Sequence, residues 1–457
     1  MDIFNTLFLA GLVVVLLVVV RWKSKMRRLP LPPGPLALPL LGNLVILNKR
    51  APFKSFLKWS KTYGPVMTVY LGPQRVVVLV GYDAVKEALV DQADDFVGRA
   101  SIAFMHRVMR GYGLVISNGD RWRQLRRFTL TTLRDFGMGR RKIEHWIQEE
   151  SEHLRNSLKV TKSAPFDPTF YLSRAVSNVI CALVFGQRFS YEDNNLLRLF
   201  QVITAILRFG SSPWGQAYNV FPWLMEHLPG RHQTLFSEVE ELKVFIVEKI
   251  RTHEESLDPD NPRDFIDCFL IRLNQEKDSP ETEFHYDNMV STVLNLFVAG
   301  TETTSTTIRY ALMLLIKYTH IQEQMQKEID TVIGKRNPLM QDRKALPFTG
   351  YGDNSPAQHS VLKDEGMWDS PWTFNPNNFL DAKGKFRNNP AFLPFSAGKR
   401  SCVGESLARM ELFMFIVSLM QHFTLSSPGG PDNIDPTPEL SSFGNLPRMY
   451  QLIATPR

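Results

Sequence analysis

From Leu7 to Val20 fourteen consecutive positions carry no polar side chain, and such a run has to be placed where water is excluded. Counted from Ile3, only Asn5 and Thr6 interrupt it, and as one helix the whole stretch spans about 27 Å, one hydrocarbon core. A cleaved leader would need positive charge ahead of the run and a small-residue cleavage site behind it. Here Asp2 precedes the run, and Arg21, Lys23, Lys25, Arg27 and Arg28 follow it. That asymmetry predicts an uncleaved, single-pass anchor over residues 1–20 with the body on the cytosolic side. The chain's net charge is +7, but +4 of it lies within the first 28 residues. The remainder is nearly balanced and has no basic-aromatic patch or zinc-finger spacing, which argues against nucleic acid as a partner. Three widely spaced cysteines, Cys181, Cys268 and Cys402, make no disulfide framework and point to a reducing compartment.

Behind the basic cluster, LPLPPGPLALPLLGN (29–43) holds five prolines. Fixed φ and missing donors make it a stiff extended arm, so residues 21–43 are expected to be a linker and residues 44–457 the body. Two β-rich runs, VMTVYLG and RVVVLVG, predict a hairpin turning at Pro73-Gln74. Helical periodicity then dominates, with amphipathic stretches around 141–158, 170–186, 194–208, 234–252, 287–318 and 404–422. The expected fold is mainly α with a minor β-sheet, in one domain behind an N-terminal transmembrane helix. Residues 211–230 carry Trp214, Phe221, Trp223 and Leu224. Packing on the body and insertion into a membrane surface both account for them.

Cys402 lies in FLPFSAGKRSCVG, immediately before a helical pattern. The free N–H groups of a helix N-terminus favour a thiolate, and Lys399 and Arg400 add positive charge. Gly398 and Gly404 allow close backbone approach. No Cys-x-x-Cys and no nearby His supply the further ligands zinc requires. A lone strong thiolate suits one axial position of a haem, whose porphyrin provides the other four donors.

Phe395, Gly398, Arg400, Cys402 and Gly404 match F-x-x-G-x-R-x-C-x-G, and this resembles the haem-binding loop of the cytochromes P-450. Upstream, Trp122 and Arg126 in WRQLRR are similar to the family's W-x-x-x-R, and Arg99 in DFVGRA stands where a third contact falls. The resemblance implies that all three meet the haem propionates. FVAGTETTSTT (297–307) resembles the family's oxygen-activating helix, A-G-x-[DE]-T. Physical chemistry reads that stretch in the same direction. Gly300 removes a side chain where the helix passes close to something. Thr303 can bond back to the carbonyl four residues earlier and distort the helix. Glu302 beside it can feed protons, so alcohol and carboxylate would form a short relay. Phe104, Phe297 and Ala299 are expected to line the substrate pocket.

The resemblance is closest to the microsomal drug- and fatty-acid-oxidising branch, as PPGPLALPLLGN and FNPNNF (374–379) also indicate. It implies a haem b monooxygenase inserting one oxygen atom from O2 into apolar substrates, whether xenobiotics, fatty acids or steroids. It further implies electrons from an NADPH-dependent reductase, cytochrome b5 as a second electron partner, and residence in the endoplasmic reticulum membrane. Arg121, Arg123, Arg127, Lys399 and Arg400 would form the basic face toward the acidic reductase.

One block of the family pattern is missing. Where a helix bearing E-x-x-R and pocket-lining strands are expected, the chain has nine residues, Gly350 to Gln358, six of them turn-forming. Fully extended they reach about 30 Å, enough to rejoin the flanks but not to replace a helix and strands. E-x-x-R occurs at Glu152–Arg155 and Glu248–Arg251, both ahead of the oxygen helix and both expected to be surface pairs. The gap sets a second expectation, an inactive splice or gene-model variant that binds haem poorly.

Overall fold

The computed structural model describes residues 31–48, 51–136, 141–349, 361–441 and 445–457. The predicted anchor and Gly350–Gln358 lie outside the described residues. No helix among the described residues is long and apolar enough to cross a membrane.

The chain enters along its proline-rich arm, which is docked on the body from Pro33 to Asn43. Pro33 O accepts from Thr68 N at 2.9 Å, and a Cβ on Gly34 would lie 1.9 Å from Thr68 O, so only glycine fits there. Buried Asn43 holds Leu36 O through its side-chain amide and Tyr70 N through its side-chain oxygen. Helix α1 (Pro52–Tyr63) leads into strands β1 (Val66–Leu71) and β2 (Gln74–Leu79). The turn between them is Gly72-Pro73 rather than Pro73-Gln74, because Gln74 already pairs with Leu71. Gly72, at φ 62°, supplies the positive φ that the first turn position demands.

Helices follow almost without interruption: α2 (Tyr82–Lys86, running on as a π-turn through Asp91), α3 (Ala103–Met109), α4 (Gly119–Asp135), α5 (Arg141–Lys159), α6 (Thr169–Phe185) and α7 (Asn194–Ser211). Two short helices, α8 (Pro213–Val220) and α9 (Pro222–Met225), precede α10 (Arg231–Glu255), α11 (Phe265–Glu276), α12 (Tyr286–Lys317) and α13 (Thr319–Val332). Among the described residues that follow are short 3-10 turns at Met340–Ala345, Pro376–Phe379 and Gly398–Arg400, then α14 (Glu405–His422), β3 (Phe423–Ser426), β4 (Leu440–Ser441), β5 (Asn445–Leu446) and β6 (Ile453–Pro456). Among the described residues the strands form three two-stranded antiparallel sheets, β1-β2, β3-β6 and β4-β5. The fold is mainly helical with small sheets, as expected.

The axis of the molecule is α12, with buried residues on most of its circumference. Helix α6 lies along it through small side chains: Ser177 meets Thr301 at 3.3 Å and Ser173 meets Ser305 at 3.4 Å. At Gly300 there is no room for a side chain, since a Cβ there would lie 2.4 Å from Ile180 Cδ1. The neighbour that Gly300 makes room for is therefore a second helix. Helix α14 packs on the other side of α12, and α5 packs on α6 and α14. Arg155, expected on the surface, is buried and donates to Ser418 on α14 at 3.0 Å. Glu248 and Arg251 are exposed, as expected. A second, smaller core lies apart from this body: Val361, Trp368, Phe379 and Ala391.

Candidate haem-binding site

The Cys402 loop is held by backbone contacts that glycine makes available. Gly398 has φ 70°, and a Cβ there would lie 1.7 Å from Leu89 O, so the loop sits directly on the π-turn after α2. Cys402 N donates to Phe395 O at 2.9 Å, and the Phe395 ring carries the Arg409 guanidinium 4.9 Å from its centroid. Cys402 thus stands two residues ahead of Gly404, which opens α14, with its side chain exposed.

The thiol is not the low-pKa group that its position alone predicts. Surrounding protein desolvates the sulfur enough to push the thiol up, and this outweighs the Gly404 N–H bond and nearby Arg126, which pull it down. The two basic neighbours invoked from sequence are engaged elsewhere. Lys399 is paired with Asp94. Arg400 turns inward to Val97 O at 2.8 Å and Ser117 O at 2.7 Å.

Arg400 stacks on Trp122 with its guanidinium carbon 4.0 Å from the ring centroid, and Arg126 flanks the same ring at 5.8 Å. Arg126 also donates to Ser401 at 3.2 Å. Burial, followed by the like charges of Arg99 and Arg126, pushes Arg400 down to about 10. Burial also lowers Arg126, while Cys402 raises it. Among the described residues none of these three guanidiniums has a carboxylate in contact. Three crowded cations beside an accessible sulfur fit a group that brings two carboxylates and a thiolate-seeking metal, and haem is such a group.

The clasp that assembles this cluster runs through residues that sequence reasoning passed over. Asn295 on α12 accepts from Leu114 N at 2.8 Å and Val115 N at 3.0 Å, and Asn288 accepts from Gly113 N at 3.1 Å. These bonds lay the 113–118 loop against α12. Asn118, at the end of that loop, accepts from Arg99 N at 2.7 Å and from Arg400 Nη2 at 3.1 Å, and its amide donates to Arg99 O at 2.9 Å. In sequence Asn118 is an ordinary helix-cap candidate, and its side chain makes no cap bond.

On α12, Ala299 and Thr303 are exposed one turn apart. The Thr303 hydroxyl donates to Ala299 O, the back-bond expected from sequence, yet the helix runs unbroken through this turn. Glu302 is not brought to the same face. Its carboxylate is buried against Arg309 at 3.1 Å and accepts from Thr306 at 3.3 Å. Burial raises its pKa, with Arg309 opposing. Of the three pocket candidates only Ala299 is exposed. Phe104 packs 5.2 Å from Phe209 and Phe297 packs 6.2 Å from Phe185, both closed into the main core. On the supposed reductase face, Arg121 and Arg123 are ion-paired with Glu283 and Asp120, and Arg127 is exposed.

A family model described as Cytochrome P450 matches residues 32–350 and 355–454. Rabbit (Oryctolagus cuniculus) cytochrome P450 2G1 is 48% identical, covering 98% of each chain, and human (Homo sapiens) cytochrome P450 2A13 is 46% identical, also over 98% of each. Rat (Rattus norvegicus) cytochrome P450 2G1 is 47% identical over 99% of this chain and 98% of its own. The rabbit comparison runs over 482 positions, more than the 457 residues of the chain. That relative therefore carries at least 25 positions with no counterpart here, and the family match itself is interrupted between residues 350 and 355.

Proposed function

The chain belongs to the cytochrome P450 family, a family of haem-iron monooxygenases, and on that premise we propose that it is a haem b enzyme oxidising apolar molecules at the endoplasmic reticulum membrane. The observation that carries this reading is the exposed Cys402 thiol beside three guanidiniums, Arg99, Arg126 and Arg400, that have no carboxylate partner among the described residues.

In this reading Cys402 would hold the haem iron through its sulfur, giving up its thiol proton to do so. The Gly404 N–H and Arg126 stabilise the resulting sulfur charge. Arg99, Arg126 and Arg400 grip the two propionates, with the Trp122 ring as the platform under Arg400. Phe395, Gly398 and Gly404 shape the loop. Bound haem supplies the reductive activation of O2 and the insertion of one oxygen atom. Thr303, on the open face of α12, holds and passes a proton there, and Ala299 forms the wall beside it. Glu302 would serve as the proton reserve behind Thr303; burial raises its carboxyl, and Arg309 at 3.1 Å opposes that. Delivery from Glu302 requires its pair with Arg309 to open.

Residues 1–20 serve as anchor, residues 21–43 as linker and residues 44–457 as the catalytic domain. An NADPH-dependent reductase and cytochrome b5 supply electrons. Two exposed apolar groups support a membrane-facing side: Leu36, Leu38, Leu40 and Leu41 of the arm, and Trp214, Trp223 and Leu224 of α8–α9. They adjoin at Gly72, whose added Cβ would lie 2.3 Å from Val220 Cγ1 and 3.5 Å from Leu40 O.

The missing positions favour a second reading, a chain of this family that holds haem poorly. A reduced carbon monoxide difference spectrum of the full chain in membranes separates the two. A strongly red-shifted Soret band that Cys402→Ala abolishes is expected. An unshifted band, or no haem, overturns the first reading and establishes the second.

A further inference from the structure

Where α10 ends and α11 begins, a buried histidine faces a buried carboxylate. His253, in the last turn of α10, has Nδ1 2.7 Å from Lys249 O and Nε2 2.8 Å from Asp264 Oδ2. A carbonyl oxygen only accepts, so Nδ1 carries a hydrogen and donates it. The contact to Asp264 needs a hydrogen of its own, or the Nε2 lone pair would face a carboxylate oxygen. The ring is therefore an imidazolium, with its charge at the negative end of α10 and against an anion. Asp264 is fixed from its other side. Its Oδ1 accepts from Asp267 N at 3.0 Å as the cap of α11, and a Cβ on Gly186 at the end of α6 would lie 2.7 Å from Oδ2. The other charged groups described at this joint are engaged. Arg263 holds both Asp267 oxygens, at 2.7 and 2.9 Å, Lys249 lies 5.2 Å from the Phe189 centroid, and Glu254 accepts from Tyr286 on α12. Burial, followed by Asp264, Asp267 and Asp135 of α4, pushes the Cys268 thiol up to about 11, so it stays neutral.

We propose that this pair is a proton-operated latch: one proton shared by His253 and Asp264 joins α10 to α11, and its loss loosens the 254–263 segment between them. Burial alone would lower the ring's hold on its proton, but the hydrogen bond and charge of Asp264, with Lys249 O and Asp267, outweigh it and leave the ring raised. A raised histidine contributes stability that is complete below its unfolded value of about 6.5 and is lost as pH rises through the folded value. The latch is thus closed at low pH and released as pH rises. Arg263 keeps its charge throughout and still donates to Ser256 at 3.0 Å, so the release is partial. Because α10 packs on α7 and α12, the latch sets how firmly the C-terminal end of that helix is held. The inference uses no part of the haem site and stands apart from the catalytic reading.

The test is hydrogen exchange of the full chain in detergent, read by mass spectrometry from about pH 6 to about pH 9 and divided by the intrinsic exchange rate at each pH. Protection of amides 254–267 is expected to fall about tenfold per pH unit between the unfolded and folded values of the histidine, and then to level off. Asp264→Asn keeps an oxygen for Asp267 N and offers an amide hydrogen to the neutral ring, so it closes the joint without a shared proton. Its protection in the same segment is expected to stay level across the range. His253→Phe is expected to give low protection at every pH. Should either variant fail to fold, the wild-type series still decides the matter. Wild-type protection that does not change with pH overturns the proposal, and so does an equal pH dependence in Asp264→Asn.

Discussion

Gly300→Ala tests whether the close packing of Ile180 on α12 is what requires glycine in the oxygen-side motif. The added Cβ would lie 2.4 Å from Ile180 Cδ1 and 2.7 Å from Cγ1, well inside the usual separation of about 3.5–4.0 Å. Alanine gains about 1 kcal/mol of helix propensity over glycine, while overpacking costs about 1–3 kcal/mol. The single variant is therefore expected to lose about 0–2 kcal/mol. Ile180→Ala alone opens a cavity and is expected to cost about 2–5 kcal/mol. In the double variant both Ile180 atoms that the new methyl strikes are gone, and the methyl fills part of the space they leave. The double variant should then be more stable than the sum of the singles by about 1–2 kcal/mol. Urea unfolding of the four chains in one detergent, followed by circular dichroism and tryptophan fluorescence, measures the coupling. Additivity within about 0.5 kcal/mol would refute helix–helix contact as the reason for this glycine.

Glu411 on α14 is fully enclosed; burial holds its carboxyl well above the usual range, and a hydrogen bond from Thr304 opposes this only in part. A raised carboxyl stabilises the fold below its unfolded pKa and loses that contribution as pH rises toward the folded value. Relative to Glu411→Gln, the wild-type chain should lose about 1.4 kcal/mol per pH unit across that window, and parallel unfolding curves at several pH values would exclude it. Asn118→Ala removes the bonds to Arg99 N, Arg99 O and Arg400 Nη2. It is expected to cost about 1–3 kcal/mol and to reduce the haem retained on gel filtration. Unchanged stability and unchanged haem would show the clasp to be dispensable.

The long helices were legible because their apolar faces repeat with helical period over many turns. Predicted 141–158, 170–186 and 287–318 became Arg141–Lys159, Thr169–Phe185 and Tyr286–Lys317. Helix α4 was harder to see because WRQLRRF puts three cations among its apolar positions, and only Trp122, Leu125, Thr129, Thr132 and Leu133 are buried. The Cys402 loop was legible as a motif, but its electrostatics were not: proximity in sequence credited Lys399 and Arg400, whereas the cation acting on the sulfur is Arg126, from α4. Glu302 and Thr303 show the opposite limit. Adjacent helical residues point about 100° apart, so the motif places the two together in sequence and on different faces in space. Asn118 read only as a helix cap, because its three bonds go to Arg99 and Arg400, 19 and 282 residues away in the chain.

Asn118 is followed by Gly119, which has φ 61°. An asparagine before glycine is prone to chemical ageing, since the unhindered glycine nitrogen can attack the side-chain carbonyl carbon and expel ammonia. Here the amide is engaged at both ends, so it is not free to swing onto its own backbone. The same bonds that gather the guanidiniums therefore act as a clock guard on that peptide. A chain whose clasp has opened would convert Asn118 to an acid, lose the donor that Arg99 O accepts, and be unable to close the clasp again in its original form.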